Sequence, residues 1–480
     1  MADARTKPSQ FYSSRVDHWR FLLQSYESGQ MYVDGGNLFS HRRESPLDFA
    51  ERKKRATPPG FARSVINTYR SLLSRGDVDR QTGNAQFQEF MNDDCDRRGR
   101  GLGKFIFEAA FAPAQAVGWT WVQVDMPRFV VPSDAPLTLA DKLENGIFPY
   151  CVHYDATQVI NWAFDGFGNL EWLTLALPEA IDPATGQKQK ARVRLYTTVD
   201  WTEYSESGRQ VLATGYHGLG KVPFAILYNE RSLLDQNLGL SAINNIAYLN
   251  RECYNLMSLL QEFLFKQCFN VLALDENSLS EEGKKTIGTS NAIPVPAGGF
   301  TPAYITPPSD PAQFIMDVIE QDVARIYHEA GLVDRSAQQV AQAQSGISRA
   351  FEFHNTNTLL VAKALELERF EREVADLWFR WEDQPYDYTV QYADDYDIRD
   401  KTAELDEAER VFKLPLNSPT MKRLIAKHLV SVLVPDADAA EDAAILQEIE
   451  QEMFASNTAQ AGAPGSSGFS ALAARFRGAA

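Results

Sequence analysis

The sequence is poor in the patterns that carry chemistry. Its 480 residues hold only four cysteines, Cys95, Cys151, Cys253 and Cys268, none in CxxC or CxH spacing. Structural zinc needs such closely spaced ligands, so no zinc site is expected. Cys253 and Cys268 fall in one predicted helix, too far apart along it to pair. The four read as reduced, buried thiols of a cytosolic protein. No run of about 18 apolar residues exists, so no membrane span is expected. The start, MADARTKPSQFYSS, is polar and lacks the apolar centre of a signal peptide. A basic excess is missing too: 47 Lys and Arg face 64 Asp and Glu, a net charge of −17. Proteins that grip DNA by its backbone carry a basic patch or balance. This balance argues against a wrapping binder and suits a wall along which a duplex slides.

Catalytic signatures are equally scarce. The histidines (His18, His41, His153, His217, His328, His354, His428) form no HxxxH or HExxH pair and adjoin no nucleophile elbow. RRGRGLGKF (97–105) is glycine-rich, but a phosphate loop needs GxxxxGK followed by Ser or Thr. Arg98 stands where the first glycine belongs and Phe105 replaces the hydroxyl, which leaves a basic surface turn between helices. The acidic run YADDYDIRD (392–400) offers Asp394, Asp395, Asp397 and Asp400 to a nuclease metal. No second carboxylate cluster is placed to join them, so the run reads as a solvated turn. Asp436, Asp438 and Glu441 lack the glycine and spacing of a calcium loop. No catalytic residue, metal or cofactor is expected. A nuclease or hydrolase with a scattered site stays open as a rival.

What is present is core and pattern. Hydrophobic residues make up 44% and aromatics 11%. Helices are expected over 13–30, capped by Ser13 or Ser14, over 61–75, and as two stretches within 84–117 broken by 97–104 and by Pro113. From 118 the period becomes two. Strands at 119–126, 149–154, 170–177, 191–198 and 203–207 make a meander closed by 220–229, with hairpin turns at 165–169 and 182–187. The segment 119–126 alternates as a half-buried strand should.

Helical pattern returns over 239–269, a rod on the order of 45 Å. A strand (270–275), a short helix (278–288) and two strands (291–296, 300–307) follow. A helix then runs from Asp310 and Pro311 to a Gly331 cap. Beyond the Gln-rich 332–345 lies a very long helix, 346–382. Its stripe is Leu360, Ala364, Leu367, Phe370, Val374, Leu377 and Trp381, and its solvated faces carry Lys363, Glu366, Glu368, Arg369, Glu371, Arg372 and Glu373. A strand (386–392), small helices (400–455) and an Ala/Gly/Ser-rich tail (456–480) end the chain.

The 239–269 helix is apolar on two sides, with Ile243, Ile246, Cys253, Leu256 and Leu260 on one and Ala247, Tyr254, Met257 and Leu264 on another. The 310–331 helix carries Ile315, Ile319, Val323, Ile326 and Ala330 with Phe314 and Val318 beside them. Two apolar sides need two neighbours. If the pair stands out from the body, the second neighbour is another subunit; the alternative is burial of both helices in one large core.

GLGKVPFAILYNE (218–230), GLSAINNIAYLNRECYN (239–255) and SGISRAFEFHNTNTLLVAKALELERFEREVADLW (345–378), in that order, resemble the portal proteins, or head-to-tail connectors, of tailed bacteriophages. The resemblance spans 10–455 and rests on order and character. It implies an α+β portal fold: N-terminal helices and β-rich wing (1–238), stem helix 1 (239–269), β-α-β-β clip (270–309), stem helix 2 (310–331), tunnel loop (332–345), long wing helix and strand (346–398), small helical crown (399–455) and a disordered tail (456–480). It implies a homododecameric ring at one capsid vertex that passes double-stranded DNA without sequence specificity. Its implied partners are the terminase large subunit during packaging, the head–tail adaptor afterwards, and the major capsid and scaffolding proteins. Arg335, Gln338, Gln339, Gln342 and Gln344 would approach DNA from the tunnel loop, and Lys284 and Lys285 would meet a partner from the clip. Another tail or baseplate component is the second rival.

Overall fold

Helix α1 (Gln10–Glu27) begins earlier than its sequence suggests, because Ser9 rather than Ser13 or Ser14 caps it: Ser9 Oγ accepts from Tyr12 N at 3.0 Å. Helices α2 (Gly29–Asp34), α3 (Pro46–Arg55) and α4 (Phe61–Leu73) follow. Strand β1 (Val78–Gln81) and helix α5 (Ala85–Asn92) lead to a rod made of α6 (Leu102–Phe105), a π-helical turn (Ile106–Ala110) and α7 (Phe111–Val117). Pro113 lies inside this rod and does not break it. Proline lacks an N–H and crowds the carbonyl one turn back; the wider π turn just before it relieves that conflict. The computed structural model describes residues 3–42, 44–127, 142, 145–181, 188–267, 271–273, 303–305, 310–332 and 346–396. They all belong to a unit that ends at Tyr396.

The expected single meander is two sheets. Strands β2 (Trp119–Asp125), β3 (Tyr150–Tyr154) and β11 (Phe224–Tyr228) form an antiparallel sheet in the order β11–β2–β3. The other sheet, β10–β9–β8–β5–β4, contains β4 (Val159–Phe164), β5 (Leu170–Leu177), β8 (Arg192–Thr197), β9 (Asp200–Ser205) and β10 (Val211–Tyr216). Short strands β6 (Ala180–Ile181) and β7 (Lys188–Gln189) pair between β5 and β8; the expected 182–187 turn lies outside the described residues. Segment 220–229 therefore does not close the meander; it returns to β2.

β2 is the central strand of its sheet and is buried on both faces, where half-burial was expected, with β4, α7 and the helix Gly346–Trp381 packed against it. Trp119 and Trp121 meet Trp162 of β4 at ring distances of 5.4 and 5.9 Å, and Gln123 Nε2 donates to Tyr196 OH at 3.0 Å. Thr120 satisfies its hydroxyl on His153 Nε2 at 2.7 Å. Buried polar groups on a central strand survive only when bonded in this way. Burial pushes His153 down to about 4, against the weaker pull of Asp155.

The last described elements are α8 (Asn244–Gln267), β12 (Val271–Ala273), β13 (Ala303–Ile305), α9 (Asp310–Glu329), α10 (Gly346–Trp381) and β14 (Thr389–Tyr392). β12 pairs antiparallel with β13, and β14 with β1. Gly331, at φ +61°, ends α9: its N–H reaches His328 O, and Leu332 N reaches Tyr327 O, both at 3.0 Å. Along α10, Leu360, Ala364, Leu367, Phe370, Val374 and Leu377 are buried as their spacing indicates. The fold class is α+β.

Candidate assembly surface

The α8–α9 pair is set on the body by a junction of backbone and buried polar groups. α8 begins at Asn244, not 239, because residues 239–242 are diverted. Leu240 N bonds Glu230 O (2.8 Å), Ala242 N bonds Gln115 O (2.9 Å), and Ser241 Oγ donates to Ala116 O (2.6 Å). Gly118, at φ +113°, crosses Gly239 so closely that a Cβ on it would lie 2.7 Å from Gly239 carbonyl atoms. Both glycines are needed for this approach.

Lys363 of α10 lies beneath, buried, where a solvated face was expected. Its Nζ donates to Gln115 Oε1 at 2.7 Å and to Asn229 Oδ1, and it lies 4.8 Å from the Tyr69 ring centre. Asn229 in turn donates from Nδ2 to Leu240 O (2.8 Å). Burial pushes Lys363 down to about 7, with Glu230 pulling weakly upward. The far side of the junction is fixed by Tyr69 OH donating to Ala330 O (2.5 Å) and Thr356 Oγ1 donating to Gly331 O (2.6 Å). One cluster thus fixes the start of α8, the end of α9 and the early turns of α10.

Glu371 is a second departure from the expected solvated face. It is fully buried and accepts from Arg80 Nε (2.5 Å), Tyr388 OH (2.5 Å) and Tyr392 OH (2.8 Å). The group clamps α10 to β1 and β14. Periodicity alone misses both residues, since their partners lie far away in sequence.

The helix pair is antiparallel: Asn245 Nδ2 at the start of α8 reaches Glu329 Oε2 at the end of α9 at 3.3 Å. Its two-sided hydrophobicity has two different answers along its length. Near the body, Ile243, Ile246, Ala247, Cys253 and Tyr254 are buried by the chain itself. Phe61 N bonds Asn250 Oδ1, Arg52 bonds Ser258 Oγ, and the Tyr32 ring packs at a tilt against Tyr254, 5.6 Å between centres. There the second neighbour is α1 to α4, not another subunit. Toward the far end the cover stops. Leu264 is 49% exposed, Phe265 55% and Phe314 69%. Arg55, which also bonds Glu262, covers part of Phe265, 4.1 Å from its ring. Adjoining exposed apolar side chains of this kind mark contact surfaces.

The residues singled out for DNA and partner contact, Arg335, Gln338, Gln339, Gln342, Gln344, Lys284 and Lys285, lie outside the described residues, as do most of the clip and the whole of 397–480. The glycine-rich stretch is a structural turn: Asp94 Oδ1 accepts from Arg98 N and Gly99 N (both 3.1 Å), and Arg100 bonds Asp96. Asp395 accepts from Asn357 Nδ2 at 3.0 Å, while Asp397 and Asp400 are outside the described residues. His217 has both ring nitrogens engaged, with Thr197 O and Leu219 N, and burial lowers its pKa. Cys95, Cys151 and Cys253 are free and buried. Among the described residues no group of three or more His, Cys, Asp or Glu is arranged to hold a metal, and no helix is long and apolar enough to cross a membrane.

No family model and no curated protein matches the sequence. Among solved structures, the chain is similar to one described as "Neck of empty GTA particle computed with C6 symmetry", at TM-score 0.45 and 11% identity, covering 80% of this chain and 94% of the other. It is also similar to one described as "Virion of native gene transfer agent (GTA) particle", at TM-score 0.44 and 12% identity, covering 79% and 93%.

Proposed function

We propose that this chain is the portal subunit of a tailed-phage-type head: a non-enzymatic protein whose copies form a ring-shaped channel at one vertex for DNA packaging and ejection. The observation that carries this reading is the α8–α9 pair. Its base is locked by Lys363, Asn229 and Tyr69, its far end leaves Leu264, Phe265 and Phe314 exposed, and a strand pair lies between its two helices in sequence. In this reading another copy covers the far end of the pair, and repeated side-by-side contact around an axis gives a ring with a bore. Residues 332–345 would supply the loop nearest DNA. Arg335, Gln338, Gln339, Gln342 and Gln344 offer weak, sequence-independent contacts that let a duplex move. Lys284 and Lys285 would meet an acidic face of the terminase or of the adaptor that replaces it. Negative-stain averages of the purified chain test the proposal. Rings with a central hole and twelvefold symmetry are expected; a compact monomer at all concentrations sinks it.

A further inference from the structure

Two loops at one edge of the body hold three large apolar side chains in water. Leu233 and Leu234 are each 98% exposed, and Phe167 is 94% exposed. Neither loop is loose. In 231–239, Ser232 N bonds Leu238 O, Leu238 N bonds Asp235 O (both 2.9 Å), and Arg231 bridges Gln236 O and Glu366 with its guanidinium 3.9 Å from the Tyr228 ring centre. In the β4–β5 turn, Asp165 Oδ1 accepts from Phe167 N and Asn169 N at 2.8 Å, and Gly168 adopts φ +85°. The two loops adjoin, since a Cβ on Gly168 would lie 3.6 Å from Asn237 Oδ1. The result is a braced apolar knob. The two loops carry the acids Asp165 and Asp235, and the cation between β11 and them, Arg231, is held by Glu366.

A surface of opposite character lies on α3 and the segment before it. Leu47 is 80% exposed, and Met31 and Phe39 are also exposed. Arg42, Lys53, Lys54 and Arg55 stand there with Glu44, Asp48 and Glu51; Lys54 pairs with Glu51, Arg55 with Glu262 and Glu44 with the buried Arg52, which leaves Arg42 and Lys53 to set a basic rim against Asp48. This surface is rigid as well: Arg52, itself buried, bonds Phe39 O, Glu44 and Ser258 Oγ. It packs along α8 near Ser258 and Glu262, whereas the knob immediately precedes α8. About 15 helical residues, roughly 20 Å, separate the two. Within one chain both stay exposed.

We propose that the knob of one copy seats on the Phe39–Leu47 surface of a second copy, apolar centre on apolar centre and acidic rim on basic rim. The contact joins unlike surfaces, so it propagates around a ring. It rests on the assembly reading above and names the contact that reading leaves open.

Leu233 and Leu234 make so little contact with their own chain that replacing them leaves the fold intact. At concentrations where both chains are monomeric, the L233D/L234D chain should keep the wild-type melting curve, while its assembly midpoint rises at least about a hundredfold in mass photometry. D235K should weaken assembly, and pairing it with K53E should restore part of it. For direct contact, an L234C chain is mixed with an L47C chain, both carrying C268S. Oxidation should yield the mixed disulfide dimer, and neither chain alone should yield one. Rings that form unchanged with L233D/L234D, or the absence of the mixed disulfide in assembled rings, overturn this contact alone. A wild-type chain that never leaves the monomer overturns the assembly reading and this contact together.

Discussion

Replacing Lys363 by methionine separates the cost of burying its charge from the value of its hydrogen bonds. Burial takes the lysine from 10.5 to about 7. At about 1.4 kcal/mol per pH unit, the buried charge costs roughly 5 kcal/mol once fully protonated. That is an upper limit, because Gln115 Oε1 and Asn229 Oδ1 both favour the ammonium form. K363M removes this cost but leaves two buried carbonyl oxygens without their donor, at about 1–3 kcal/mol each. Near pH 7 the two effects offset to within about 3 kcal/mol, so the intercept says little. The slope is decisive. Between about pH 7 and 10.5 the unfolded lysine holds a proton that the folded one has released, so wild-type stability rises with pH. Below pH 7 both states are protonated and the full cost persists. From pH 7 to pH 9 the wild type should gain roughly 2–3 kcal/mol on the variant. Urea unfolding followed by tryptophan fluorescence at pH 7, 8 and 9 reads this directly. Parallel stability curves for the two chains would refute the burial argument.

Glu371→Gln leaves Arg80 without its buried anion and should destabilise by about 3–5 kcal/mol in the same assay; a loss under about 1 kcal/mol would show the clamp to be dispensable. Gly118→Ala drives a methyl into the Gly239 backbone at a positive φ and should cost about 3 kcal/mol or more, seen as early proteolysis near residue 239. L264D/F314D adds charge at the far end of the helix pair; the chain should stay folded by circular dichroism yet lose ring particles in negative stain. Persistence of rings would mean that this end does not touch a neighbour.

The elements legible in sequence were those whose reasons are local. The 36-residue α10 appears within a residue of its expected limits, because its stripe is written in consecutive residues. The Gly331 cap is local in the same way. Strands β4 and β10 were not read, since β10 is an edge strand with little apolar alternation and β4 is defined by its hairpin with β5. β2 looked half-buried because Thr120 and Gln123 are polar, and their partners, His153 and Tyr196, come from other strands. Lys363 and Glu371 follow the same rule. A charged residue on a helix face reads as solvated unless one already knows what packs there. The start of α8 was misplaced because apolar spacing continues through 239–243, although the backbone there is committed to α7 and β11.

The Gly118–Gly239 crossing has a consequence for how such a chain can drift through mutation. Each glycine occupies the space that a side chain on the other would need, so the two positions form one constraint. A substitution at either closes off the other unless the whole start of α8 slides. Among related sequences the pair should be lost or kept jointly, and a lineage that fills one position should carry a length change between β11 and α8. Alignments of such chains would then reveal the register of this helix pair before any of their structures is known.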